Sequence, residues 1–116
     1  MNTRRRGGDG ETIAVDYLEK KGYRILQRNF RFHRGEIDIV AKDEDQFVFV
    51  EVKSRRSDSF GEPEDAVTTW KHKQLCKIAQ GYMLRNNIEE NNCRFDVISI
   101  KYNGEVPVIL HLVDAF

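Results

Sequence analysis

The run VFVEVKSR, Val48 to Arg55, places Glu51 and Lys53 two residues apart in a segment otherwise suited to a protein interior. In an extended chain the side chains alternate, so Phe47, Phe49, Glu51 and Lys53 share one face and Val48, Val50 and Val52 the other. The preceding run GEIDIVA divides the same way, with Ile37, Ile39 and Ala41 on one side and Glu36, Asp38 and Val40 on the other. A hairpin turn centred between Glu44 and Asp45 then sets Asp38 across from Glu51 and Glu36 across from Lys53. Like charges opposed on antiparallel strands destabilise the pair, so folding alone gives no reason for two acids there. Their mutual repulsion predicts that Asp38→Asn or Glu51→Gln raises metal-free stability.

A divalent cation between the two carboxylates turns that repulsion into attraction. Magnesium in particular is held by one or two carboxylates together with waters and substrate phosphates. Lys53, on the same face, can contact a phosphate or a water with its compact ammonium. Asp38, Glu51 and Lys53 therefore suit phosphodiester hydrolysis, in which the ion polarises a phosphoryl oxygen and lowers the pKa of its water while the lysine stabilises developing charge or orients the nucleophile.

These residues need a scaffold. From Glu11 the apolar residues Ile13, Ala14, Tyr17 and Leu18 recur at helical spacing, and the helix stops at Gly22 after the cationic Lys20 and Lys21. YRILQRNFRF, GEIDIVA and QFVFVEVK read as three strands, the last two joined by KDEDQ as a hairpin. SRRSDSFGEP reads as a loop, and EDAVTTWKHKQLCKIAQGYMLRNN as a long second helix with Ala66, Trp70, Leu75, Ile78, Ala79, Tyr82 and Met83 near one stripe. RFDVISI and VPVILHLV follow as strands around KYNGE, whose Asn103-Gly104 pair signals a hairpin. The order is α-β-β-β-α-β-β, an α/β fold with a mixed sheet flanked by two helices. MNTRRRGGDG reads as a basic arm over residues 1–8, with structure starting near Asp9.

At 116 residues the chain is sized for one domain and one core. Its 19 acidic and 19 basic residues exclude a histone-like or an acidic solvating protein, so affinity for nucleic acid must come from uneven placement of charge. Arg31, Arg34, Arg55, Arg56, Lys71, Lys73 and Lys77 are candidates for a phosphate-contacting surface with salt-sensitive binding. Cys76 and Cys93 lack metal-site spacing, and no leader-like segment precedes the domain, so free thiols in a cytoplasmic protein are expected. No apolar run approaches the roughly 20 residues that cross a bilayer, so no membrane partner is expected. His33, His72 and His111 lack zinc-site spacing and carry no catalytic assignment. Glu11, in the first turn of its helix, is accounted for by the helix dipole alone.

The motifs GDGETIAVDYLEKKGYRIL, RNFRFHRGEIDIVA, VFVEVKSR, FGEPEDAV with Lys71 and Leu75 after it, RFDVISI and the terminal AF resemble, in that order, the YraN-type bacterial proteins. Those are similar to Holliday junction resolvases of the PD-(D/E)XK nuclease superfamily, whose α-β-β-β-α-β core follows the order read above. The resemblance implies that Asp38 and Glu51 ligate magnesium or manganese, that Glu11 completes the acidic cluster, and that Lys53 is the catalytic lysine. Ile37 stands where the superfamily's proline precedes the first acid. The implied activity is a metal-dependent endonuclease acting on nucleic acid, with DNA, including branched DNA, as the leading substrate. A four-way junction would call for a two-fold homodimer. One alternative is a non-catalytic nucleic-acid-binding module on the same fold; another is a protein whose charged strand is structural only.

Overall fold

The computed structural model describes residues 5–56, 69–89, 92–103 and 106–115, with side chains at 10–54, 70–89, 92–102 and 106–115. The elements are α1 (Arg5–Lys20), β1 (Arg24–Phe32), β2 (Gly35–Asp43), β3 (Gln46–Arg56), α2 (Thr69–Asn86), β4 (Cys93–Asn103) and β5 (Val106–Leu112), the α-β-β-β-α-β-β order expected. The strands form one sheet in sequence order, antiparallel throughout except for the parallel pair β3–β4. That pair is separated in sequence by α2, the crossover that a parallel connection requires. Ser54, Arg55 and Arg56, expected to open the loop SRRSDSFGEP, instead extend β3, and the rest of that loop, 57–63, lies outside the described residues. With it, the early part of the second helix, Ala66, and Gly104 of the last turn lie outside the described residues.

α1 ends as its sequence dictates. Gly22 takes φ +95°, Gly22 N donates to Glu19 O at 3.0 Å and Tyr23 N donates to Leu18 O at 2.9 Å, which together close a Schellman cap. At its other end α1 begins at Arg5 rather than near Asp9. Helical hydrogen bonding continues through the glycines, each of which weakens a helix by only about 1 kcal/mol.

The helices cover opposite faces of the sheet. Ala14 and Leu18 of α1 pack on Ile39, Ala41, Val48, Val50, Ile98 and Ile100. Leu75, Ile78, Ala79, Tyr82 and Met83 of α2 pack on Phe30, Ile37, Val40 and Phe49. Trp70, expected on the apolar stripe, is 70% exposed. At about 100° per residue it lies about 140° around the helix from Leu75, so the turn that buries Leu75 carries Trp70 into solvent. α2 also lies close on β1, since a Cβ at Gly81 would fall within 2.6 Å of three ring carbons of Phe32.

The β2–β3 hairpin has the expected register, from Asp43↔Gln46 through Ile39↔Val50 around a turn in which Glu44 takes φ +56°. The expected division of faces holds for Ile39, Ala41, Val48 and Val50 but not for Ile37, which packs among the α2 residues. Alternation therefore breaks at Asp38. On β1 the register passes from Arg28↔Ile39 to Phe30↔Ile37, and Asn29 between them has φ +54°. A left-handed residue, which Asn tolerates, reverses the local pleat and turns both strands over at this point.

Candidate metal and nucleic-acid site

Asp38 sits at that break, where β2 leaves β3. The β2–β3 ladder ends at Ile39↔Val50, and the next backbone donor of β3, Val52 N, instead donates to Asp38 Oδ2 at 2.8 Å. The carboxylate thus takes the place of a ladder partner at the seam. Asp38 also shares a hydrogen bond with Glu51, the residue that the hairpin register sets opposite it. Glu51 is only 8% exposed. It points toward α2, where Lys71 Nζ lies 2.9 Å from its Oε2.

Electrostatics divides the two acids. Burial, then the hydrogen bond with Glu51 and the charge on it, push Asp38 up to about 8. Burial opposes the charge on Glu51 as well, but hydrogen bonds with Asp38 and Lys71 outweigh it and hold Glu51 below the usual carboxylate range. At neutral pH the two carboxyl groups therefore share one proton between them. Burial and the neighbouring Lys71 push Lys53 below the usual lysine range, against the pull of Glu51 and Asp38. Lys71 is held above it: burial lowers it, and contacts with Lys53 and Glu51 more than compensate.

On its other side Asp38 meets two further acids. One carboxylate oxygen from each of Glu11, Glu36 and Asp38 lies within 4.8 Å of the others. α1 delivers Glu11 to this position by a close approach to β3, because a Cβ at the neighbouring Gly10 would collide with the Ser54 hydroxyl. Arg28 and Arg31 of β1 brace the group from outside, the first 3.5 Å from Glu11 and the second 3.1 Å from Glu36. A donor set of carboxylate oxygens from Glu11, Glu36 and Asp38, each partly exposed, fits a hard divalent cation such as magnesium or manganese.

Asp38 is thus the meeting point of Glu51 and Glu11, and Lys53 lies close enough to both Asp38 and Glu51 to feel their charge. Glu36, which strict alternation sets across from Lys53 and outside the acidic cluster, is drawn by the loss of alternation to Arg31 of β1 and beside Glu11 and Asp38. Among the basic candidates, Arg34, Lys73 and Lys77 are exposed and Arg31 keeps 80% of its side-chain surface while paired with Glu36. Lys71 instead turns inward to Glu51. The side chains of Arg55 and Arg56 lie outside the described residues.

A second polar cluster, without any signal in the spacing, lies under the α1 face. Asp96, 1% exposed, accepts from Arg94 Nε at 2.9 Å and from Asp114 N at 3.0 Å, and its Oδ2 lies 2.7 Å from His111 Nε2. Arg94 extends to Asp43, Gln46 and the Tyr23 hydroxyl. This network ties β4, β5, the β2–β3 turn and the end of α1 together. Cys76 and Cys93 are not joined in a disulfide. Among the described residues no helix is long and apolar enough to cross a membrane.

A single α/β domain-sized unit with a five-stranded mixed sheet and one helix on each face is the class to which this geometry belongs. The chain belongs to the uncharacterised protein family UPF0102, whose model matches residues 10–100. The UPF0102 protein of Geobacter metallireducens is 48% identical over 110 residues, covering 95% of this chain and 90% of that protein. Those of Caldanaerobacter subterraneus and Clostridioides difficile are 43% identical over 119 residues and 46% identical over 116, each covering all of this chain and 98% and 100% of the relative. Among solved structures, SfsA of Pyrococcus furiosus in complex with Ca2+ aligns with a TM-score of 0.43 and 15% identity, covering 95% of this chain and 62% of that one, less than two thirds of its length.

Proposed function

We propose that the protein is a divalent-metal-dependent endonuclease that hydrolyses phosphodiester bonds in DNA, branched DNA included. The observation that carries this reading is the position of Asp38, which touches Glu51 on one side and reaches Glu11 on the other, with Lys53 beside the pair. In this reading Asp38, Glu51 and Glu11 hold magnesium or manganese, and Glu36 joins them. When bound, such an ion polarises a phosphoryl oxygen and acidifies water.

The chain's own side chains supply the rest. Lys53, kept partly desolvated, presents its amine to a phosphoryl oxygen and stabilises the charge that develops there. Arg34 and Lys73, both exposed, contact flanking phosphates, and Arg31 joins them with the part of its guanidinium that Glu36 leaves open. A four-way junction needs two such sites placed symmetrically, so that substrate entails a homodimer.

The experiment is a cleavage panel of linear, flapped and four-way DNA with magnesium or manganese, run beside Lys53→Ala and beside chelator. Metal-dependent cleavage lost in the variant supports the nuclease. DNA binding of equal strength in chelator and in Lys53→Ala, with no cleavage of any substrate, identifies a binding module instead.

A further inference from the structure

Trp70, 70% exposed, leaves a large aromatic surface in water close to the site. α2 runs antiparallel to β3, with Tyr82 over Phe49 and Lys71 reaching Glu51 at 2.9 Å, so Trp70 stands at the end of the helix nearest Lys53. Between Thr69 and Asn86 the helix carries Lys71, Lys73, Lys77 and Arg85 and no acidic residue, in a chain whose charges balance at 19 and 19. Affinity for nucleic acid requires such an uneven placement. Lys73 and Lys77, three and seven residues on from Trp70, fall within about 60° of it around the helix, and both are exposed. One indole and two ammonium groups therefore share the outer face of α2.

An apolar protein surface fits the indole but not the two charges beside it, whereas a nucleic-acid strand fits both. Every nucleobase offers a π-face, and its phosphates follow within reach of lysines that stand about 6 Å apart along the helix axis. In a duplex the base faces are closed by stacking, so an indole reaches one only where a strand is unpaired. Resting on the nucleic-acid reading above but not on cleavage, we propose that Trp70 is a stacking platform for an unpaired nucleobase, with Lys73 and Lys77 holding phosphates of the same strand. The platform selects flapped, forked or branched substrate over intact duplex: the strand that leaves the duplex lays its base on Trp70, and the branch point is thereby set beside Glu51 and Lys53.

The test uses the chain's single tryptophan as its own reporter. Fluorescence is titrated, with calcium in place of magnesium, against a short oligothymidylate and against the same strand paired to its complement. The single strand is expected to quench Trp70 and the duplex to leave it bright. In anisotropy titrations of end-labelled oligothymidylate, Trp70→Ala should weaken binding about tenfold, the scale of one base–aromatic stack, and Trp70→Phe should recover most of that loss. Lys77→Met should reduce the slope of log affinity against log salt by about 0.7. Leu84→Ala, which trims an exposed apolar residue farther along the same face, should change affinity no more than about twofold. No quenching by the single strand, equal quenching by duplex, or equal affinity of wild type and Trp70→Ala overturns the proposal. So does a wild-type dimer that Trp70→Ala converts to monomer in sedimentation while oligothymidylate affinity stays unchanged, since the indole then belongs to a second copy. The nuclease reading fails separately: quenching as expected with no metal-dependent cleavage leaves a single-strand-binding module, whereas metal-dependent cleavage without quenching removes the platform alone.

Discussion

Asp38 and Glu51 face each other where two antiparallel strands part, and their carboxyl groups are joined by a hydrogen bond across one shared proton rather than held apart by like charge. The strain anticipated from two opposed acids is relieved in two ways. The pair holds one proton between its two carboxyl groups, and Lys71 of α2 lies against Glu51.

The shared proton makes ion-free stability depend on pH. Asp38 is raised to about 8, so the folded protein holds a proton that the unfolded chain has already lost above about pH 4. The unfolded state then binds fewer protons, and this group's contribution to stability declines as pH rises from about 4 to about 8. Asp38→Asn keeps an acceptor for Val52 N and a donor toward Glu51 at every pH. In chelator the variant should equal wild type near pH 5 and exceed it by about 2 kcal/mol near pH 8 in urea unfolding. A gap that stays constant across that range counts against a protonated Asp38.

Glu51→Gln should do the reverse of what opposed charges alone would give. The substitution removes one acid of the pair but also leaves the Lys71 ammonium facing a neutral amide. A loss of about 1–2 kcal/mol in chelator is expected, smaller than for a fully buried ion pair because Lys71 retains some solvent. A Glu51→Gln protein more stable than wild type would mean that repulsion dominates the site after all.

Lys53→Met should separate chemistry from binding. Cleavage should fall by about 10²–10³-fold with magnesium, while DNA affinity measured with calcium in place of magnesium changes little. Equal losses in both would make Lys53 a backbone contact and nothing more.

The Asp96 network should resist neutral conditions and fail in acid. Hydrogen bonds with His111, Arg94 and Asp114 N overcome the effect of burial and hold Asp96 below the usual carboxylate range. A depressed pKa contributes stability that is complete above about pH 4 and lost as pH falls through the folded value. Asp96→Asn, which leaves Arg94 with the Asp43 carboxylate but removes its buried one, should cost about 1–3 kcal/mol at pH 7 and flatten the acid limb of the stability curve. Circular dichroism melts of both proteins between pH 2 and 7 supply the comparison.

Gly81→Ala should destabilise despite alanine's better helix propensity. The gain of about 1 kcal/mol in the helix is outweighed by collision of the new methyl with the Phe32 ring, for a net loss of about 1–2 kcal/mol. Phe32→Leu, made together with it, should recover most of the loss. If Gly81→Ala is stabilising, α2 stands further from β1 than the structure has it.

Much of this was readable before any coordinates, and the reasons are local. The Glu44–Asp45 turn sets the hairpin register, and period-two alternation assigns Val48 and Val50 to one helix and Phe49 to the other, because both rules act over a few residues. Ile37 and Glu36 escape the same rule, since the reversal at Asn29 sits on a different strand and only the β1–β2 pairing transmits it. Lys71 looks like any solvated lysine in the sequence; what turns it inward is an acid twenty residues earlier, which α2 covers only after the sheet has formed. Asp96, Arg94 and His111 become a cluster for the same reason, their partners lying on β5 and on the far hairpin turn.

β3 is fastened to β4 by an unbroken ladder from Phe47↔Cys93 to Arg56↔Tyr102, which includes Glu51 and Lys53, whereas the β2–β3 ladder ends at Ile39↔Val50 and the carboxylate of Asp38 ties the strands beyond it. The two flanks of the site therefore differ in compliance. Glu51 and Lys53 form a fixed jaw, and any widening that the proposed nuclease would need to admit an ion or to let a product go falls to β2, at the expense of the two hydrogen bonds that Asp38 makes with Val52 N and Glu51 and without disturbing the lysine's alignment.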